Sequence, residues 1–175
     1  MCYDIETEHL GFRKARVEDA EAMYKNVWSD EELLKYTHWV LSPSLESAKE
    51  RLLRNIEYQK KNPYIYFIIN KENKEPIGFG GIMQFAEGVY SEAGLCIARK
   101  YQGRGYGKEM LKALLDLAFK KLNCKEFLYA CFKDNDVSYN LCMHYPFVFK
   151  NTEKVFVERL NKEVEINVYS LTQYE

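Results

Sequence analysis

The densest chemistry in the chain lies in the run Gln102-Gly103-Arg104-Gly105-Tyr106-Gly107, inside the longer segment Gly94–Glu109 that reads GLCIARKYQGRGYGKE. Glycines at 103, 105 and 107 let the backbone bend and present successive N–H groups with no Cβ in the way. A helix beginning at about Gly105 adds the partial positive charge of its N-terminus. Arg99, Lys100, Arg104 and Lys108 add formal charge. Amide hydrogens, a helix dipole and cations together suit a diphosphate. Two common phosphate templates fail here. A P-loop would need Gly where Gln102 stands and a hydroxyl where Glu109 stands. A dinucleotide fingerprint counted from Gly103 or Gly105 would need its third glycine at Lys108 or Met110.

The elements that must hold this loop can be read on either side of it. Val89–Ala98 is a strand leading in. Gly105–Leu122 is a helix leading out, with Met110, Leu111, Leu114, Leu117, Ala118 and Leu122 on one apolar stripe. Upstream, His9–Ala15 reads as a strand, Arg16–Asn26 as a helix and Glu31–Tyr36 as a short helix. Ser44 caps a longer helix with Leu45, Ala48, Leu52, Leu53 and Ile56 on one stripe, ended by Pro63. The aromatic and β-branched run Tyr64–Asn70 is a buried strand. Pro76–Phe85 follows it after a polar turn, and Gly78, Gly80 and Gly81 permit close backbone approach. Downstream come a strand at Glu126–Phe132, a short helix at Asn135–His144, and a closing hairpin of Phe147–Arg159 and Glu163–Leu171 around Asn161–Lys162. The order is mixed α+β: antiparallel strands before the central helix and a hairpin at the end. No linker, repeat or low-complexity tract divides residues 1–175, which read as a single domain.

The loop has the form Gln/Arg-x-x-Gly-x-Gly/Ala, and here the chain resembles the GNAT acetyltransferase superfamily, whose loop of this form binds the coenzyme A pyrophosphate. The resemblance runs over nearly the whole chain, toward the branch named for ribosomal-protein N-terminal acetylation. It is carried by HLGFRKARVEDAEAMY, VWSDEELLKY, EPIGFGG, SEAGLCIARKYQGRGYGKE, Asn135-x-x-Ser138 and EINVYSL. It implies a GNAT-type mixed, largely antiparallel central sheet of about seven strands with helices on both faces. It also implies an N-acetyltransferase that uses acetyl-CoA as cosubstrate, with direct attack of a primary amine in a ternary complex. Gln102, Gly103, Arg104, Gly105, Tyr106, Gly107 and Lys108 become coenzyme-binding positions.

An amine arrives largely as ammonium, with a pKa of about 10.4 for a lysine-like group and about 8 for an α-amine. It must lose a proton to attack a thioester, and a strand carboxylate of raised pKa can take it. Glu92 is the candidate base; the plain alternative is an exposed strand carboxylate. The resemblance further implies that main-chain groups of Leu95, Cys96 and Ile97 pair with the pantetheine arm, with an N–H there polarising the thioester carbonyl. It places Asn135, and Ser138 with it, against coenzyme A. Both residues also suit helix capping, and the two roles are compatible. The chain departs from the family in two places. The tyrosine that relatives carry seven residues after the helix-start asparagine is Cys142 here, with Tyr139 and Tyr145 a turn to either side. A Gly near the helix end is replaced in Met143-His144-Tyr145-Pro146-Phe147, and Pro cannot take the positive φ that Gly allows. These departures keep a second reading open: a non-catalytic coenzyme A-binding module.

Composition bounds the partners. The formal net charge is -1 among 29 % charged residues, without the basic excess of a nucleic-acid binder. No apolar run nears the ~20 residues that span a bilayer, and the N-terminus lacks an apolar signal core. The expectation is a cytoplasmic protein, monomer or homodimer, with no membrane partner. Five cysteines without a CxxC spacing and three scattered histidines argue against a metal site. The expected acceptor is a peptide N-terminus, a polyamine or an amino sugar. Trp28, Tyr36, Trp39 and the acidic run Asp30-Glu31-Glu32 are candidates to line its cleft, with simple packing between helices the preferred reading of the tryptophans.

Overall fold

The computed structural model describes residues 2–174. Strands β1 (Ile5–Glu6), β2 (Leu10–Arg13), β3 (Ile65–Asn70), β4 (Pro76–Ala86), β5 (Val89–Ile97), β6 (Glu126–Phe132), β7 (Val148–Val157) and β8 (Lys162–Leu171) form one sheet. Their order across it is β1-β2-β3-β4-β5-β6-β8-β7. Every neighbouring pair is antiparallel except β5 and β6, which run parallel. The sheet therefore has one strand more than the seven expected. The extra one, β1, pairs only Ile5 and Glu6 with Phe12 and Gly11, too short a stretch for alternation to reveal.

The helices are α1 (Ala20–Met23), α2 (Leu45–Lys61), α3 (Tyr106–Asp116) and α4 (Asp136–Cys142). All six residues of β3 are buried, so both faces of the sheet are covered there. Phe67 pairs with Phe79 and Tyr66 with Gly80. Neighbours along a strand point to opposite faces. On the Phe67 face, Trp28 meets that ring edge-on at 6.0 Å. On the Gly80 face, a Cβ at Gly80 would come within 2.7 Å of the Met110 sulfur, so glycine lets α3 lie flat on β4.

The helix expected over residues 16–26 is instead three short pieces: a tight turn at Val17–Asp19, α1, and a widened turn at Tyr24–Trp28. Two local demands explain this. The Asp19 carboxylate accepts two 2.7 Å bonds from the buried Arg13 guanidinium and one of 2.8 Å from the Arg16 N–H, which anchors the first turn to β2. Asn26, Val27 and Trp28 are all buried, and a regular 3.6-residue period cannot bury three consecutive side chains. The widened turn does so, with the Ser29 N–H reaching the Tyr24 carbonyl at 3.0 Å.

In α2, Ser44 caps the helix by accepting from the Ser47 N–H at 3.2 Å. Ala48, Leu52 and Gln59 are its buried residues. Leu53, expected on the same stripe, is 55 % exposed, because it lies about 100° around the helix from Leu52. The closing hairpin turns at Asn161, whose φ of 47° is one that Asn tolerates.

Candidate active site

The site begins where β5 and β6 part. They pair only at Val89–Glu126, Tyr90–Phe127 and Ser91–Leu128. Beyond that, β6 continues to Phe132 against β8, while β5 continues to Ile97 against β4. The cause is a bulge: Ile82 faces Glu92 and Gly80 faces Leu95, with Gly94 at φ 91° taking up the extra residue. Two strand edges are left bordering one gap. Ala98 N–H donates to Ile77 of the β4 side at 2.8 Å. By alternation, Cys96 main-chain groups belong to the β4 ladder, while those of Leu95 and Ile97 turn to the gap. The Ile97 carbonyl is met there by the Gln102 side-chain amide, which donates at 2.8 Å.

Glu92 stands at the fork. Its carboxylate accepts from the Gly94 N–H at 2.6 Å and lies close enough to the Ala130 N–H of β6 for that donor to favour its ionised form, so it stands between the two parting strands. Burial pushes its carboxyl up from 4.5 to about 6, against the opposing pull of those two donors. The group is ionised at neutral pH yet a far better proton acceptor than an ordinary carboxylate. The expected plain alternative, an exposed strand carboxylate, does not describe it.

The loop expected to hold a diphosphate lies at the far end of β5. Gly103 and Gly105 have φ of 75° and 84°, and a Cβ on either would meet nothing within 4 Å. These glycines are required by backbone conformation, and their outer side is open space. Gly107 has an ordinary φ, with room for a Cβ 3.7 Å from Leu141. Gly105 is the N-cap of α3 and offers no side-chain acceptor, so the first N–H groups of the helix carry no side-chain cap. The side chain of Tyr106 is buried against His9 and contributes nothing to the outer surface. Glu109 accepts from the His9 N–H at 2.7 Å and from Thr7, which pins the helix start to the β1–β2 turn.

The four cations divide. Arg99 donates to Asp30 at 2.6 Å and Lys100 lies 3.7 Å from Glu75, so both are drawn from the loop by carboxylates. Arg104 lies 5.5 Å over the Tyr101 ring. Arg104 and Lys108 are exposed beside the open glycines. An unobstructed αL cradle, uncapped amides and two cations that meet no carboxylate among the described residues fit a diphosphate.

Asn135 caps α4 by accepting from the Ser138 N–H at 3.1 Å. The Ser138 hydroxyl is 2.8 Å from the Tyr129 hydroxyl, which ties α4 to β6. Both residues thus carry the structural role at the rim of the gap. Cys142 is fully buried and its thiol is pushed up to about 12 by that burial. Tyr139 packs against Tyr169 at 5.9 Å, and Tyr145 against Tyr174 at 6.3 Å. After α4 the chain closes with short bonds, Tyr145 N–H to Cys142 and Phe147 N–H to Tyr145 at 2.7 Å, with no positive φ around Pro146.

On the opposite face, the segment after Trp28 closes over the C-terminal end of β6. Tyr36 and His38 pack at a tilt against Phe132, ring centroids 5.9 and 5.5 Å away. Arg159, beside the closing hairpin, donates to the carbonyls of Leu34 and Thr37. Asp30 is occupied with Arg99 and the Glu32 N–H, and Trp28 is core. The acidic lining expected for the acceptor is therefore not formed by Asp30. Ala130, Tyr129 and Arg51 were missed by sequence reading. Each matters through the register of β6 or the stacking of α2, for which no local motif exists.

No helix among the described residues is long and apolar enough to cross a membrane. Among the described residues no group of His, Cys, Asp and Glu could hold a metal ion.

Comparison with known proteins supplies an independent line. Residues 9–148 match the acetyltransferase (GNAT) domain family. The uncharacterized N-acetyltransferase p20 of Bacillus licheniformis is 26 % identical over 174 residues, covering 97 % of this chain and 96 % of that one. A solved putative ribosomal-protein-serine acetyltransferase from Vibrio cholerae superposes with a TM-score of 0.81 at 20 % identity, covering 99 % of this chain and 100 % of its own. RimL, a ribosomal L7/L12 α-N-protein acetyltransferase solved with coenzyme A, gives a TM-score of 0.77 at 19 % identity, covering 95 % of each chain.

Proposed function

The chain belongs to the GNAT acetyltransferase family and is an acyltransferase, and from that premise we propose that it moves an acetyl group from acetyl-CoA to a primary amine by direct attack in a ternary complex. The acceptor is a protein N-terminus or a small amine such as a polyamine or amino sugar. The observation that carries the reading is the fork of β5 and β6, with Glu92 standing between the strands at a carboxyl pKa of about 6.

In this reading the diphosphate of acetyl-CoA lies on the amides around Gly103 and Gly105, with Arg104 and Lys108 alongside. The pantetheine arm runs into the gap beside Leu95 and Ile97. The thioester carbonyl accepts an N–H from that edge, and this stabilises the oxyanion as it forms. Glu92 takes the ammonium proton, directly or through water, and the amine attacks the carbonyl carbon. The attacking nitrogen of the tetrahedral intermediate gives its surplus proton to solvent, the intermediate collapses, the C–S bond breaks, and the thiolate leaves and is protonated. Cys142 is excluded as that proton's donor: a thiol at about 12 is a far weaker acid than the departing thiol, whose ordinary value is about 8.5. A leaving group of that pKa needs little acid assistance, so solvent suffices.

The test is acetyl-CoA-dependent thiol release across peptides, polyamines and aminoglycosides, beside calorimetry with acetyl-CoA. Turnover of at least one amine class is expected. Coenzyme binding with no turnover across the panel would replace the enzyme by a coenzyme-binding module. No heat of binding would remove both.

A further inference from the structure

A cavity of about 530 Å³ lies between α2 and the loop that follows Trp39. Arg51, Arg54, Asn55 and Tyr58 of α2 form one wall, and His38 and Trp39 stand opposite. No Asp or Glu lines it. Arg51 is its centre. Its guanidinium is held between the two indoles of the chain, 5.0 Å from the Trp28 ring and 4.8 Å from the Trp39 ring. One N–H donates to the Val40 carbonyl at 2.7 Å.

A guanidinium has five N–H donors in a planar fork. Both indole rings pack against this one, and among the described residues no Asp or Glu pairs with it. Burial and the neighbouring Arg54 lower its pKa to about 10. A partly buried cation packed against two aromatic rings, with no carboxylate partner among the described residues, is a receptor for an anion.

The cavity adjoins the fork. His38 packs at a tilt against Phe132 at the end of β6, and Arg51 lies within electrostatic reach of Cys96 on β5. The lining thus touches the end of β6 and lies near β5, on the face across from α3. We propose that this cavity anchors the acceptor through a carboxylate that the amine substrate carries, received on the edge of Arg51 with Arg54 adding a second charge. The acceptor class is then an amine bearing a carboxylate, as in an amino acid or an acidic peptide, and a polycation is repelled. This rests on the acetyl-transfer reading for its link to catalysis, but the binding itself does not.

The two tryptophans flanking Arg51 are the only ones in the chain, so intrinsic fluorescence reports on this cavity. The full-length protein is titrated with β-alanine against β-alaninamide as the small-molecule arm, and with Ala-Asp-amide against Ala-Asn-amide as the peptide arm. The same compounds are assayed for thiol release with acetyl-CoA. The carboxylate member of a pair is expected to give a saturable change at least about tenfold tighter than its amide. Arg51→Gln should bring the two members together, and the exposed Arg54→Gln should narrow the difference without loss of fold. The arm that binds tighter identifies the source of the carboxylate. Equal affinity for charged and neutral members, or no saturable change in either arm, overturns the proposal. Fluorescence binding without thiol release overturns acetyl transfer and leaves the cavity standing. Equal turnover of both members does the reverse.

Discussion

Replacing Glu92 by Gln separates two consequences of burying one carboxyl. Folding lifts that carboxyl from 4.5 to about 6, so the ionised form costs the folded chain about 2 kcal/mol relative to the unfolded one. Below pH ~4.5 both states hold the proton and the cost is absent. Between about 4.5 and 6 the folded state keeps a proton that the unfolded chain has released, so wild-type stability falls as pH rises. Above about 6 the cost is fully present. Glutamine has no proton to lose. Its amide N–H₂ must also sit near one of the backbone donors of Gly94 and Ala130, which adds a penalty independent of pH. The pH-dependent part is therefore diagnostic: between about pH 4 and 7.5 the stability difference should move toward the variant by about 2 kcal/mol. At about 2–4 °C per kcal/mol for a chain of this size, that is a relative Tm gain of about 4–8 °C, read by circular dichroism across the range. Over the same range wild-type kcat/KM should rise through about pH 6, and the variant should lose about 10²- to 10⁴-fold in turnover. A Tm difference flat with pH refutes the burial argument. Wild-type turnover in the variant removes Glu92 from the role of base.

Three further outcomes follow from the geometry. Gly105→Ala places a Cβ at φ 84° and should cost about 1–2 kcal/mol with loss of calorimetric coenzyme affinity, whereas Gly107→Ala, with room for its Cβ, should leave both nearly unchanged. Arg104→Ala and Lys108→Ala should weaken coenzyme A binding more at low salt than at high salt, while Arg99→Ala, whose guanidinium already serves Asp30, should not; equal effects in titration calorimetry would contradict the division of the cations. Asp19→Ala leaves the buried Arg13 cation without its carboxylate and should destabilise by about 3–5 kcal/mol in denaturant unfolding, where a loss below about 1 kcal/mol would show the pair to be unimportant.

The strand–loop–helix of residues 89–116 was legible because its signals are local, while the expected remainder of the helix is a widened turn at Leu117–Lys121. Glycine spacing, the apolar stripe of α3 and the turn at Asn161 each depend on a few neighbouring residues. The helix over residues 16–26 was misread because its irregularity comes from elsewhere: Arg13 claims Asp19, and three consecutive side chains must reach β3 and β4. Leu53 was misplaced because a stripe drawn from composition does not say where its edge falls. The charges of the loop were counted correctly, but their partners Asp30 and Glu75 lie 69 and 25 residues or more away in sequence, and only packing brings them in.

By itself the sequence determined that a backbone cradle of αL glycines at a helix start would exist here, and that a mixed sheet would carry it. Backbone conformation at glycine and hydrophobic period are properties of short segments. The tertiary structure alone decided that Glu92 stands between two parting strands and that Arg51 packs against two tryptophans with no carboxylate partner among the described residues. A pKa and an unpaired charge depend on what surrounds a group in space, and residues 92 and 130, or 28, 39 and 51, become neighbours only once the sheet and α2 have packed.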